Sequence, residues 1–192
     1  MGLILKAVIL PKWIKQFAIV TASYLAADFL TRAFLPFTEV QIGTEATFAA
    51  SLLFFPHGVR VLSAWLLGWR SLPFLLPATY LSNYINFGAD GFHIDNLLAA
   101  SFGVTCAICS FWLLGKLGLD FRLGSVHGTN WKNVALVGCC ASILNSAGKS
   151  YFYGSPASTA AALFVGDIAG MLATMLILMF AFRWYRLRNL KQ

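Results

Sequence analysis

A chain of 192 residues that is 59% hydrophobic and only 11% charged, with a mean hydropathy of +0.74, leaves no room for a soluble domain. Globular domains carry about a quarter charged residues. The net charge of +7 fits a membrane protein whose cationic loops gather on one side, and it is given no nucleic-acid meaning.

In chain order, the opening MGLILKAVILPKWIK sets Lys6, Lys12 and Lys15 ahead of the first long apolar run and offers no clear small-residue cleavage site. Residues 1–13 are therefore expected as an amphipathic lead on the inner membrane surface rather than a signal peptide. Six spans follow, at about 14–35, 46–68, 71–87, 95–115, 132–153 and 158–182, with a basic tail over 183–192. Barrel strands would alternate over about ten residues, whereas these runs are continuous and about twice as long. The predicted fold is thus an all-α bundle in a single polytopic membrane domain.

Charge then orients the bundle. Lys6, Lys12, Lys15, Arg70, Lys116, Arg122, Lys132, Arg183, Arg186, Arg188 and Lys191 fall on one side, against Arg32 and at most Lys149 on the other. The cation-rich side is the cytoplasmic one, which places both termini there. Glu39, Glu45, Asp90 and Asp95 fall in the outer loops.

Inside the spans the stretch FFPHGVR, 54–60, combines a helix breaker, an imidazole, a glycine and a full positive charge. An Arg or Asp at the centre of a membrane helix costs about 2.5–3.5 kcal/mol on insertion scales, so each such residue is a functional candidate. Asp28, His57, Arg60, Asn145, Lys149 and Asp167 are the expected lining of a polar pocket between spans one, two, five and six. Estimated depth makes Asp167 the expected ion partner of Arg60, with Asp28 second. The same pair would equally serve as a pin between two helices. Pro56 and Gly58 are expected to kink the second span at this level. Gly166 and Gly170 make a small-xxx-small face for close packing beside Asp167.

Ala18, Ala22 and Ala26 form a second small-residue ridge in span one. It suits either packing within the domain or docking of a partner. Cys106 and Cys109, and Cys139 with Cys140, lie in spans rather than loops and lack His at matching depth, so they read as buried apolar-like thiols without metal. No Ser-His-Asp set, HExxH, phosphate loop or haem-binding pair is present. His93 and His127 sit in loops on opposite sides. Neither catalytic residues nor a cofactor are expected.

Three stretches in order, LLFFPHGVRVLSAWLLGWRSLPFLLPATYLSNYI, LLGKLGLDFRL and FVGDIAGMLATMLIL, resemble the first type of membrane-associated sensor domain. That domain is the N-terminal membrane part of bacterial histidine kinases and diguanylate cyclases. The matching positions include Phe55, Pro56, Gly58, Arg70 and Pro73, and the F-P-x-G-x-R form is similar to that of the hexose-phosphate sensor kinase. The resemblance covers roughly Ala18 to Met179. It implies a multi-pass protein of the bacterial inner membrane that receives a signal from a ligand or membrane partner. The family usually has about eight spans and an output domain, so a six-span chain ending at RWYRLRNLKQ is expected to signal through a separate protein.

The expected function is that of a standalone sensor or accessory subunit. Its partners would be membrane lipid, a membrane or signalling protein or a second copy of itself, and a small-molecule ligand. One alternative is the substrate-binding subunit of a vitamin-type transporter, which the ridge Ala18, Ala22 and Ala26 resembles. The other is a structural subunit of a larger membrane complex.

Overall fold

The computed structural model describes residues 11–41, 49–125 and 130–189, with side chains left aside between 38 and 51. Most of the expected lead, together with Lys6, Glu45, His127 and Lys191, lies outside the described residues. Continuous helix runs over α1 (Lys12–Thr38), over Phe55–Phe92, and over α4 (Ile94–Lys116), α5 (Trp131–Tyr153) and α6 (Ala157–Asn189). Within Phe55–Phe92, a 3-10 turn at Gly68–Ser71 separates α2 (Phe55–Leu67) from α3 (Leu72–Phe87). Gly68 ends α2 at φ +56°, a backbone conformation open to glycine at little cost.

Two expectations are corrected here. Of the six expected spans, four stretches are long and apolar enough to cross a membrane: Lys12–Phe37, Phe55–Phe92, Ile94–Lys116 and Ala157–Asn189. The spans expected at 46–68 and 71–87 share one of these stretches, since α2 has 13 residues and α3 has 16. The span expected at 132–153 is helical, but Ser142, Asn145, Ser146 and Lys149 dilute its apolar character.

The second correction concerns 46–55. Ala49–Ser51 is a short β-strand (β2), paired antiparallel with Glu39–Gln41 (β1) in the register Val40 opposite Ala50. The helix starts at Phe55, and Pro56 occupies its first turn rather than kinking its middle. A proline lacks the N–H that a preceding helical turn would need, and its ring collides with that turn's carbonyl. In the first turn neither penalty applies.

Contacts set the direction of each helix. Phe55 meets Thr31 and Arg60 meets Tyr24, so α2 runs antiparallel to α1. Phe74 meets Thr21, and Asn86 meets Asp28, so α3 runs with α1. Asn83 of α3 reaches Asn96, and Tyr80 reaches Ser101 of α4. Tyr153 bonds Asn96, so α5 returns antiparallel to α4, and Ser142 and Asn145 meet α6 at Phe164 and Asp167. The helices thus alternate in direction along the chain.

This alternation gathers the start of α1, the α2–α3 turn, the end of α4, the start of α5 and the end of α6 at one end. The exposed Trp13, Trp69, Trp112, Trp131 and Trp184 all lie there, beside Lys12, Arg70, Lys116, Lys132 and Arg188. Trp112, Trp131 and Trp184 each carry a cation over the ring, from Lys116, Lys132 and Arg188. Tryptophan with flanking cations is the composition of a membrane–water interface. At the same end Arg122 forks onto Asp120 at 2.7 and 2.8 Å, which raises its pKa above the usual arginine value.

α2 lies innermost, packed against α1, α4, α5 and α6. Eight of its positions, including His57, Gly58, Arg60, Val61 and Ala64, are buried. Val61 and Ala64 join Ala107, Phe111, Val137, Ala141 and Met171 in the larger apolar core. Val20, Tyr24, Leu75, Ala78 and Val104 form the smaller one, under α1 and α3. The polar residues of FFPHGVR are therefore enclosed by protein rather than lipid, which removes much of the insertion cost that singled them out.

The ridge Ala18, Ala22 and Ala26 is exposed at all three positions, so it is not buried within this chain.

Candidate functional site

The site is built where the start of α2 meets α5 and α6. Phe54 precedes the helix in an extended conformation, and its N–H donates to the Gly166 carbonyl at 3.0 Å. The next N–H, of Phe55, donates to Thr31 Oγ1 at 3.1 Å, and Thr174 Oγ1 donates to the Phe55 carbonyl at 3.2 Å. The chain is thus tied to α1 and α6 as it enters α2. Gly170 makes this approach possible, since a Cβ there would run into the Phe54 backbone. A Cβ on Gly58 would lie 2.6 Å from Thr174 Cβ.

Asp167 is almost fully buried, at 1% exposure. Its Oδ2 accepts from Asn145 Nδ2 at 2.7 Å and from Ser142 Oγ at 3.4 Å. His57 Nδ1 stands 3.6 Å from the same oxygen. His57 Nε2 lies 3.1 Å from the Gly138 carbonyl, which can only accept, so Nε2 carries a proton. His57 is in the first turn of α2, at the positive end of the helix dipole.

Arg60 faces elsewhere, which corrects the expected Arg60–Asp167 ion pair. Its Nη2 donates to Tyr24 Oη at 2.7 Å, and its guanidinium carbon lies 5.5 Å from the ring centroids of both Tyr24 and Phe54. Arg60 follows His57 by three residues, so it sits a turn further along α2 and is rotated toward α1 and α4. Nε and Nη1 have no hydrogen-bond acceptor, although the residue is only 3% exposed. Lys149 Nζ lies 5.1 Å from the same Phe54 centroid, so two cations share one ring. Cation–aromatic contacts are worth about 2 kcal/mol when desolvated.

Asp28 does not belong to this cluster. It pairs with Arg32 at 3.2 Å and accepts from Asn86 Nδ2 at 3.3 Å. His57, Arg60, Asn145, Lys149 and Asp167 are brought together, and Asp28 is set apart on the α1–α3 contact.

Tyr24, Phe54 and Ser142 are site residues that sequence reasoning missed. Ser142 had a legible signal, because it precedes Asn145 by three on the same helix face. Among the described residues no His/Cys/Asp/Glu group could hold a metal ion. The cleft of about 290 Å³ between α5 and α6, lined by Ile143, Ser146, Ala147, Ala160, Ala161 and Phe164, is open and mostly apolar. None of its lining residues is charged.

Tyr24→Phe removes the one hydrogen bond Arg60 makes, and bonds to charged groups are worth about 1.5–3 kcal/mol. Thermal unfolding in detergent should show a loss of about 2 kcal/mol. A loss below about 0.5 kcal/mol would mean that Arg60 finds another acceptor.

No family model matches the chain, and neither a curated protein nor a solved structure matches it. What the chain carries is a set of apolar helices able to cross a membrane around a buried polar cluster.

Proposed function

We propose that this chain is a membrane sensor-type domain or accessory subunit, which receives a signal in the polar cluster and passes it to a partner protein. It is not an enzyme. The observation that carries the reading is the cluster itself: Arg60 and Asp167 are buried, Lys149 is half-buried on the Phe54 ring that Arg60 shares, and two nitrogens of Arg60 are unpaired. Paired charges that only pinned helices together would be saturated. A cluster with unused donors responds to what enters it.

The likeness of FFPHGVR and FVGDIAGM to the first type of membrane-associated sensor domain points the same way. On this reading the chain is a multi-pass protein of the bacterial inner membrane with both termini in the cytoplasm. Alternating helix directions and cations gathered with the tryptophans at one end support that topology. The partner is another membrane or signalling protein, or a second copy of the chain.

A second reading, the substrate-binding subunit of a vitamin-type transporter, is favoured by one observation. Ala18, Ala22 and Ala26 lie exposed along one face of α1, where another membrane helix can approach closely.

The test is gentle extraction from the native membrane followed by mass spectrometry of what co-purifies. A stoichiometric partner, lost or weakened by Arg60→Ala and Asp167→Ala, is the expected result. If both variants kept partner association and ligand response unchanged, the cluster would have no part in signalling. A protein that emerged alone with a bound small molecule would support the transporter reading instead.

A further inference from the structure

We infer that the unpaired face of Arg60 binds a small monoanionic carboxylate that also carries a hydroxyl donor. This rests on the reading of the cluster as a receiving pocket and adds the chemical class of what it receives.

The sign follows from where the acids are. Asp28 is occupied by Arg32 and Asn86, one turn beyond Tyr24 on α1. Asp167 lies against His57, Asn145 and Ser142, and among the described residues no carboxylate stands within ion-pair distance of Arg60. The Arg60 guanidinium is thus a buried positive charge without a counter-ion. An uncompensated buried charge is strongly unfavourable, and one incoming anionic group neutralises it.

The donors fix the kind of anion. Arg60 Nε and Nη1 present three N–H bonds without an acceptor, and Nη1–H beside the second N–H of Nη2 makes a parallel pair that matches the two oxygens of a carboxylate. Lys149 stands on the same Phe54 ring as Arg60, and α2 begins at that ring, so a carboxylate there also meets the positive end of a helix.

Asn145 supplies the second requirement. Its Nδ2 is held by Asp167, while its Oδ1 is buried and has no donor. Gly103 brings the two unused groups to one place, because a Cβ there would lie 2.8 Å from Asn145 Oδ1 and 3.0 Å from Arg60 Nη1. A ligand seated beside them offers acceptor oxygens to Arg60 and a hydroxyl hydrogen to Asn145. 2-Hydroxy carboxylates have this arrangement, whereas a 2-amino acid, a zwitterion at neutral pH, would add a second cation.

The experiment is equilibrium binding to the full chain in detergent, using 2-hydroxy acids from glycolate and lactate up to mandelate. Propionate, which lacks the second donor, and inorganic phosphate serve as comparisons. Saturable binding of at least one acid is expected, at least tenfold tighter than propionate and phosphate and at least tenfold weaker in Arg60→Gln. Selective ¹⁵N-arginine labelling of the wild type covers the case in which that variant does not fold. One buried Nε–H resonance should then shift on saturation with the acid.

No saturable binding, binding unchanged in Arg60→Gln, or an unmoved Nε–H resonance would each overturn the inference. If partner capture still depended on Asp167 in that event, the sensor reading would survive without this ligand class.

Discussion

Gly170→Ala is expected to be among the most damaging single-methyl changes in this protein. Alanine in place of a helical glycine ordinarily stabilises by about 1 kcal/mol. Here the added Cβ would collide with the main chain of Phe54. That main chain is held by the Gly166 carbonyl, and the next residue is held by Thr31 and Thr174. A side chain can rotate out of a collision, but a tethered backbone cannot. Overpacking of this kind costs about 1–3 kcal/mol and sometimes more, and the upper end applies. Gly115 is the control, since nothing lies within 4 Å of a Cβ built there. Thermal unfolding of the two alanine variants should move in opposite directions, with Gly115→Ala equal to or above wild type. Equal stability of the two would show that α2 and α6 are not in close contact at Phe54.

Asp167→Ala should cost about 3–5 kcal/mol, because removing one partner strands the others in a buried site. Asn145 Nδ2 and Ser142 Oγ lose their acceptor, and His57 loses the carboxylate 3.6 Å from its Nδ1. Asp167→Asn keeps the volume and one acceptor oxygen, so it should fall between wild type and alanine. The double variant Asp167→Ala with Lys149→Met separates charge from packing. If the buried excess of positive charge is the main penalty, the double variant is more stable than Asp167→Ala alone. Additive losses would assign the cost to the lost hydrogen bonds instead.

Much of the fold was legible in the sequence because apolar runs of membrane-spanning length are a strong one-dimensional signal. α4 and α5 fall close to their expected limits for that reason, while α6 runs on past its expected end at 182 to Asn189. The segment before Pro56 was read as helix because its residues are apolar, yet apolarity does not distinguish a helix from the extended strand that enters α2. The polar residues were found by their cost in lipid, but their partners were assigned by depth alone. Depth along a helix says nothing about rotation around it. Arg60 and Asp167 are close in depth, yet Arg60 turns to Tyr24 on α1 while Asp167 turns to Asn145 on α5. Asp28 was assigned to the pocket by the same reasoning, and rotation places it against Asn86 of α3. Aromatic partners such as Phe54 carry no formal charge, so a search for opposite charges passes over them.

The buried positions of α6 end at Thr174, while the helix continues unbroken and exposed to Asn189. It is gripped along one half and free along the other, like a rod clamped in a vice with its shaft protruding. At 1.5 Å per residue the free portion is about 22 Å long. A stiff rod delivers a twist applied at the clamp to its far end without loss. The clamp holds Asp167 and Gly170, and the far end carries Arg183, Arg186 and Arg188. On the proposed sensor reading, a rotation of α6 at Asp167 would turn those arginines by the same angle.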